Sequence, residues 1–278
     1  MKPRLAPVWK VKPVQSFTAN NTDHFYHAIS GKDAPVIFWG HGWGQDHKAF
    51  LPLASSLHSL GAHRLLDFPG FGASARPRES WDTQDYADAI ATHLKQKNTG
   101  PVIWIGHSFG GRVGIQLASR YPDLVQALVL IAGAGLKRKR SPLKSLYFKG
   151  RIALYKALKK LVPLGLSQDW LQSRFGSRDY KNAGPMRDIF LKTIAEDLSP
   201  QAAQIKAPTL LIYGENDQET PPEFGRRYKD LIPNSALHIL TGLDHYSVLG
   251  SGRHQVANLL QAFIKDLDDH KQDLRSPR

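Results

Sequence analysis

Three observations predict an α/β fold with a mostly parallel sheet flanked by helices. Short runs rich in β-branched residues recur along the chain, and most are apolar almost throughout, as strands buried on both faces are. Segments with apolar residues at helical spacing alternate with these runs, the pattern of a parallel sheet covered on both sides. A chain of 278 residues with 41% hydrophobic content can also bury one sizeable core with an inserted element. No Gly-x-Gly-x-x-Gly and no Walker-type Gly-Lys-Ser/Thr occurs, so nucleotide-binding versions of this architecture have no support.

In chain order, Val8-Trp9-Lys10-Val11 and Phe25-Tyr26-His27-Ala28 read as an antiparallel pair leading into the sheet. Pro35-Val36-Ile37-Phe38-Trp39 is the first buried strand. A helix is expected over 47–60, because Phe50, Leu51, Leu53, Ala54, Leu57 and Leu60 form an apolar stripe. Arg64-Leu65-Leu66-Asp67 is the next strand. The helix over 82–96 packs Tyr86, Ala87, Ile90, Ala91 and Leu94. Pro101-Val102-Ile103-Trp104-Ile105, a helix from Arg112, and Ala127-Leu128-Val129-Leu130-Ile131-Ala132 then follow. The last strands are Ala207-Pro208-Thr209-Leu210-Leu211-Ile212-Tyr213 and Ala236-Leu237-His238-Ile239-Leu240.

Composition changes at residue 136. Over 137–160 stand ten Lys or Arg and no acidic residue: Lys137, Arg138, Lys139, Arg140, Lys144, Lys149, Arg151, Lys156, Lys159 and Lys160. Ser141-Pro142 suits an N-cap and N1 pair. Tyr147, Leu154, Leu158 and Leu161 recur at helical spacing with lysines opposite, so a basic amphipathic helix is expected. With no convincing strand as far as residue 205, the segment reads as a helical lid inserted in the sheet. The domain plan is an α/β core over 1–135 and 206–278, with a lid over 136–205.

The stretch Gly106-His107-Ser108-Phe109-Gly110-Gly111 lies between a strand and a helix. Its Gly-x-Ser-x-Gly spacing puts small residues where a sharp turn would make side chains collide, and holds the serine strained and exposed at the tip. This stretch resembles the nucleophile elbow of the α/β-hydrolase fold. What the resemblance implies is a lidded α/β-hydrolase with Ser108 as nucleophile. Gly40-His41-Gly42-Trp43-Gly44 is similar to the family's oxyanion loop, which implies that Trp43 and Phe109 supply the backbone N–H groups of the oxyanion hole.

Phe68-Pro69-Gly70-Phe71-Gly72 is a turn also common in the family, and Asp67 before it reads as structural, because the family's acid follows the nucleophile in the chain. Gly214-Glu215-Asn216-Asp217 resembles the acid-bearing segment and places Asp217 as the triad carboxylate, with Glu215 as its competitor. Leu243-Asp244-His245-Tyr246 is similar to the histidine loop. Many relatives have glycine where Asp244 stands. His245 lies 28 residues after Asp217, and His254 beyond it reads as an exposed helical position.

Serine is a poor nucleophile until an imidazole takes its proton, and that imidazole needs a buried carboxylate to hold its tautomer and stabilise its charged form. The expected activity is therefore carboxylic ester hydrolysis through an acyl-enzyme. A carbon–carbon bond hydrolase of ring-fission products would use the same triad, and a ligand receptor on this fold is the reading from another class. Aspartate would stand at Ser108 in the epoxide hydrolase and haloalkane dehalogenase relatives.

No cofactor and no metal is called for. The absence of cysteine removes disulfides and thiolate chemistry. The 37 Lys and Arg against 24 Asp and Glu leave a net charge of +13. No nucleic-acid recognition motif accompanies that charge. An anionic partner at the basic lid, an acyl carrier protein or a membrane surface, fits it beside a small-molecule ester substrate. The N-terminal residues lack the apolar stretch of a signal peptide, and no run approaches ~18 apolar residues, so a cytoplasmic location is expected.

Overall fold

The computed structural model describes residues 15–29, 31, 34–138, 142–160, 163, 167 and 183–273. The chain divides into two compact units, Met1–Gly135 with Asp197–Arg278, and Leu136–Glu196. No helix among the described residues is long and apolar enough to cross a membrane.

The first unit is built on an eight-stranded sheet of order β1-β2-β4-β3-β5-β6-β7-β8. Its strands are β1 Gln15–Ala19, β2 Thr22–Ile29, β3 Val36–Gly40, β4 Ala62–Asp67, β5 Val102–His107, β6 Val125–Ile131, β7 Thr209–Gly214 and β8 Ser235–Leu240. From β3 onward every pairing is parallel. β1 and β2 form an antiparallel hairpin that joins β4. In the hairpin Phe25 and Tyr26 pair with Ser16 and Gln15, His27 and Ala28 pair with Leu65 and Arg64 of β4, and Val8–Val11 of the expected pair lie outside the described residues. Asn20 and Asn21 make the two-residue turn with φ of 49° and 53°. Positive φ at both positions matches the strand twist, and asparagine tolerates it.

The helices of this unit include α1 Leu51–Ser56, α2 Thr83–Lys97 and α3 Phe109–Arg120. The helix expected over 47–60 is in fact three pieces, a 3-10 turn at His47–Ala49, α1, and a second 3-10 turn at His58–Leu60. Pro52 is the physical reason at the first break, because it has no N–H with which to continue a helix begun at residue 47. Asp82 and Asp85 cap α2 reciprocally, each side chain accepting from the other residue's backbone N–H.

In the second unit lie α4 Pro142–Lys159 and α5 Arg187–Ala195. The first unit resumes with α6 Ser199–Ala202, α7 Pro222–Leu231 and α8 Arg253–Asp273.

Alternation along the strands sorts two sets of apolar side chains. Ile37, Trp39, Ile103, Ile105, Val129, Ile131, Leu210 and Ile212 join Leu53 of α1 and Val256, Leu260 and Ile264 of α8 in one buried cluster. The intervening residues include Phe38 and Trp104, whose rings stack at 6.4 Å, and Trp104 adjoins Phe68, which meets Tyr86 of α2 edge-on. The strand order reverses direction between β4 and β5, around β3, the place where open α/β sheets leave a crevice at their carboxyl ends.

Candidate functional site

That crevice brings the loop after β3 against the turn after β5. Gly40 is opposite Gly106 in the register, and the Gly110 N–H donates to the His41 carbonyl at 3.0 Å. A Cβ on Gly110 would lie 1.9 Å from the Gly40 oxygen, and one on Gly106 would lie 2.3 Å from the Gly110 oxygen. Both positions therefore need glycine. Ser108 has φ 48° and ψ −104°, a left-handed conformation costing about 1–3 kcal/mol that the packed surroundings must hold. Its backbone is clamped from β6: Ser108 N–H donates to Ile131 O at 3.1 Å and Ala134 N–H to Ser108 O at 3.3 Å.

His41 fixes the glycine loop. Its Nε2 accepts from the Phe68 N–H at 3.1 Å, so the ring proton is on Nδ1 and donates to the Gly42 oxygen at 2.8 Å. Burial lowers the His41 pKa to about 4, which keeps the ring neutral. Gln45 Oε1 accepts from Gly42 N–H at 2.9 Å. Trp43 lies in this loop with its ring edge-on to Phe71 and Phe109 at 5.0 and 5.5 Å. Phe109 is the first residue of α3, where an N–H has no intrahelical acceptor.

β7 ends at Gly214, and Asp217 follows, almost wholly buried. Its Oδ1 accepts from the N–H groups of Glu219 at 2.7 Å and Thr220 at 2.8 Å. Its Oδ2 lies 2.8 Å from His245 Nδ1. A neutral His245 beside that carboxylate carries its proton on Nδ1, leaving a lone pair on Nε2. The Thr220 hydroxyl sits among these groups, 2.8 Å from Asp217 Oδ2, 2.9 Å from the Ala132 carbonyl and 3.2 Å from His245 Nδ1.

Asp217 and His245 are thus in direct contact. Ser108 is tied to them through its neighbours, because His107 donates from Nε2 to the His245 carbonyl at 3.0 Å and Thr220 reaches the β6 loop that clamps the serine. No hydrogen bond joins the Ser108 hydroxyl to His245 among the described residues, and such contacts commonly tighten only when substrate binds. Burial, and then the proximity of His245, lowers the His107 pKa to about 3, so it acts as a neutral strut.

The other residues singled out fall elsewhere. Glu215 is exposed and accepts from the Gly242 N–H. His254 is exposed on α8. Asp244 caps the loop that carries His245, accepting from the N–H groups of Tyr246 and Ser247. Those bonds, Ser247 foremost, hold its carboxyl below the usual range.

Asp67 joins two loops by accepting from the His47 and Ala73 N–H groups and from His47 Nδ1. Burial would raise its pKa, but these donors outweigh that and lower it. His27, His47 and Asp67 bring metal-type donor atoms within 4.8 Å of one another. The two rings stack with centroids 3.4 Å apart, and His47 Nδ1 is engaged with Asp67.

Thr220, His107 and Gln45 are site residues that the sequence reading missed. The available signals were a hydroxyl three residues past the acid and a histidine beside the serine.

A strand-loop-helix sheet with a strained serine after β5 and a buried Asp–His pair after β7 and β8 is the build of a hydrolase. The chain belongs to the alpha/beta hydrolase family, whose pattern matches residues 36–259. It is 31% identical over 219 residues, 71% of this chain and 80% of the relative, to the pimeloyl-[acyl-carrier protein] methyl ester esterase of Shewanella woodyi. It is 27% identical over 252 residues to the 2-hydroxy-6-oxononadienedioate/2-hydroxy-6-oxononatrienedioate hydrolase of Escherichia coli, covering 81% of this chain and 84% of that one. The crystal structure of a membrane phospholipase A shares the fold, with a TM-score of 0.73 over 92% of this chain and 86% of the other, at 24% identity.

Proposed function

We propose that the protein is a serine hydrolase that cleaves carboxylic esters through an acyl-enzyme. The observation that carries this reading is the 2.8 Å contact of buried Asp217 with His245, on a loop that His107, next to the strained Ser108, holds by its carbonyl. In the proposed reaction the Ser108 hydroxyl adds to the ester carbonyl while His245 Nε2 takes its proton. The backbone N–H groups of Trp43 and Phe109 receive the developing oxyanion, each contributing about 3 kcal/mol by analogy with other acyl-transfer enzymes. His245 then protonates the departing alcohol, and water repeats the cycle on the acyl-serine. Asp217 holds the tautomer and stabilises the imidazolium. From its place between β6 and β7, the inserted segment is read as a lid.

Similarity to an esterase supports the ester reading, and similarity to a hydrolase of oxo-dienedioates keeps carbon–carbon cleavage by the same residues as the second. A fluorophosphonate probe should label the wild type and not Ser108→Ala, and a panel of p-nitrophenyl esters should then give the preferred acyl length. Labelling of Ser108→Ala at the wild-type rate would refute the assignment. Labelling without turnover of any ester, together with cleavage of a ring-fission dienoate, would favour the second reading.

A further inference from the structure

Two leucines of the basic helix of the second unit are open, and one of them, Leu154, belongs to the apolar stripe that the sequence marks. Leu146 is 68% exposed and Leu154 is 52% exposed, and Gly150, Ala153 and Ala157 are exposed with them. At 3.6 residues per turn these five positions fall within one arc of about 100° on α4. The side of the stripe nearest Ala153 carries exposed Lys156 and Lys160, with Lys159 beyond them. Among the described residues these three lysines have no carboxylate partner. No acidic residue occurs anywhere in 137–160 to offset the ten cationic ones.

We propose that α4 docks the protein on an anionic phospholipid surface, lying in the plane of the interface. The two features together select this partner. Charge alone would serve for any polyanion, but phosphate backbones offer nothing to two open leucines. At a lipid surface the leucines enter the boundary between headgroups and acyl chains while the lysines remain at headgroup level. The intervening residues of the stripe are glycine and alanine, so the helix can approach closely, and a Cβ at Gly150 would meet no atom within 4 Å. Each lysine near such a surface strengthens partitioning about fivefold, and each half-exposed leucine on the order of tenfold on transfer out of water.

The test is co-sedimentation of the whole protein with vesicles of phosphatidylcholine, with and without phosphatidylglycerol. Binding is read without turnover, so its outcome is independent of the reaction proposed for Ser108. The expected result is binding to the anionic vesicles that weakens between about 0.05 and 0.5 M salt, as the screening length shrinks. Leu146→Ser/Leu154→Ser should lose on the order of a hundredfold in partitioning at constant salt dependence. Lys156→Gln/Lys159→Gln/Lys160→Gln should lose a similar factor and flatten the salt dependence. Circular dichroism melting shows that the variants keep their fold. No binding to anionic vesicles at low salt would overturn the proposal, as would unchanged binding by the folded leucine variant. Binding to an acidic acyl carrier protein but not to vesicles would equally overturn it.

Discussion

Replacing Thr220 by valine keeps the volume and removes one hydroxyl from the centre of the candidate site. That hydroxyl has one proton and two acceptors in reach, the Ala132 carbonyl at 2.9 Å and Asp217 Oδ2 at 2.8 Å, and its oxygen lies 3.2 Å from His245 Nδ1. A hydrogen bond to a charged group contributes about 1.5–3 kcal/mol. If that falls on the step in which His245 becomes charged, kcat for p-nitrophenyl acetate drops on the order of 10- to 100-fold, with KM little changed. The loss stays below the ~10⁴-fold seen when the acid of a serine triad is neutralised, because Asp217 keeps the Glu219 and Thr220 N–H donors and His245. Whichever of the two acceptors holds that proton, the buried acceptor left without it should also lower Tm by several degrees. Thr220→Ser, which restores the hydroxyl, should recover most of kcat, a result that lost packing would not give. Activity of Thr220→Val within twofold of wild type, or equal damage by serine and valine, would refute a positioning role for this hydroxyl.

If Ser108 and His245 act as one unit, Ser108→Ala/His245→Ala should be barely slower than either single variant in ester hydrolysis, and additive losses would show that they act separately. Gly110→Ala drives a methyl to within 1.9 Å of the Gly40 oxygen, so the variant should be insoluble or melt more than about 10 °C lower, and a wild-type Tm would contradict that packing. Acid should destabilise the fold early. Burial lowers the pKa of His24, His41, His63 and His93 from 6.5 to about 4 and that of His107 to about 3. The unfolded chain therefore takes up protons first, so these rings take stability away as pH falls from the ordinary histidine range near 6.5 toward about 4, and below that they protonate in the fold as well. Urea midpoints that stay constant from pH 7 to 5 would contradict this.

Local pattern made the sheet legible, because strands buried on both faces must be apolar throughout and the helices between them must be apolar on a face. The glycines around Ser108 were legible for an equally local reason: a strand that turns at once into a helix leaves no room for a Cβ. The broken helix after β3 and the Asn20-Asn21 turn were also written locally, in Pro52 and in two asparagines, yet the apolar stripe over 47–60 outweighed the first and the second passed unread. At Leu154 helical spacing marks a face as apolar without saying whether anything covers it, and there the side chain is open.

What the sequence determined by itself is the succession of strands and helices, the sharp turn at Ser108 and the candidate order Ser108, Asp217, His245. Only the tertiary structure decided the contacts that join them. The His107–His245 contact spans 138 residues and the Thr220–Ala132 contact 88. Such contacts depend on the lateral order of β5, β6, β7 and β8, which places the carboxyl ends of strands distant in sequence side by side. Strand order is an outcome of packing the whole sheet, and no window of sequence carries it.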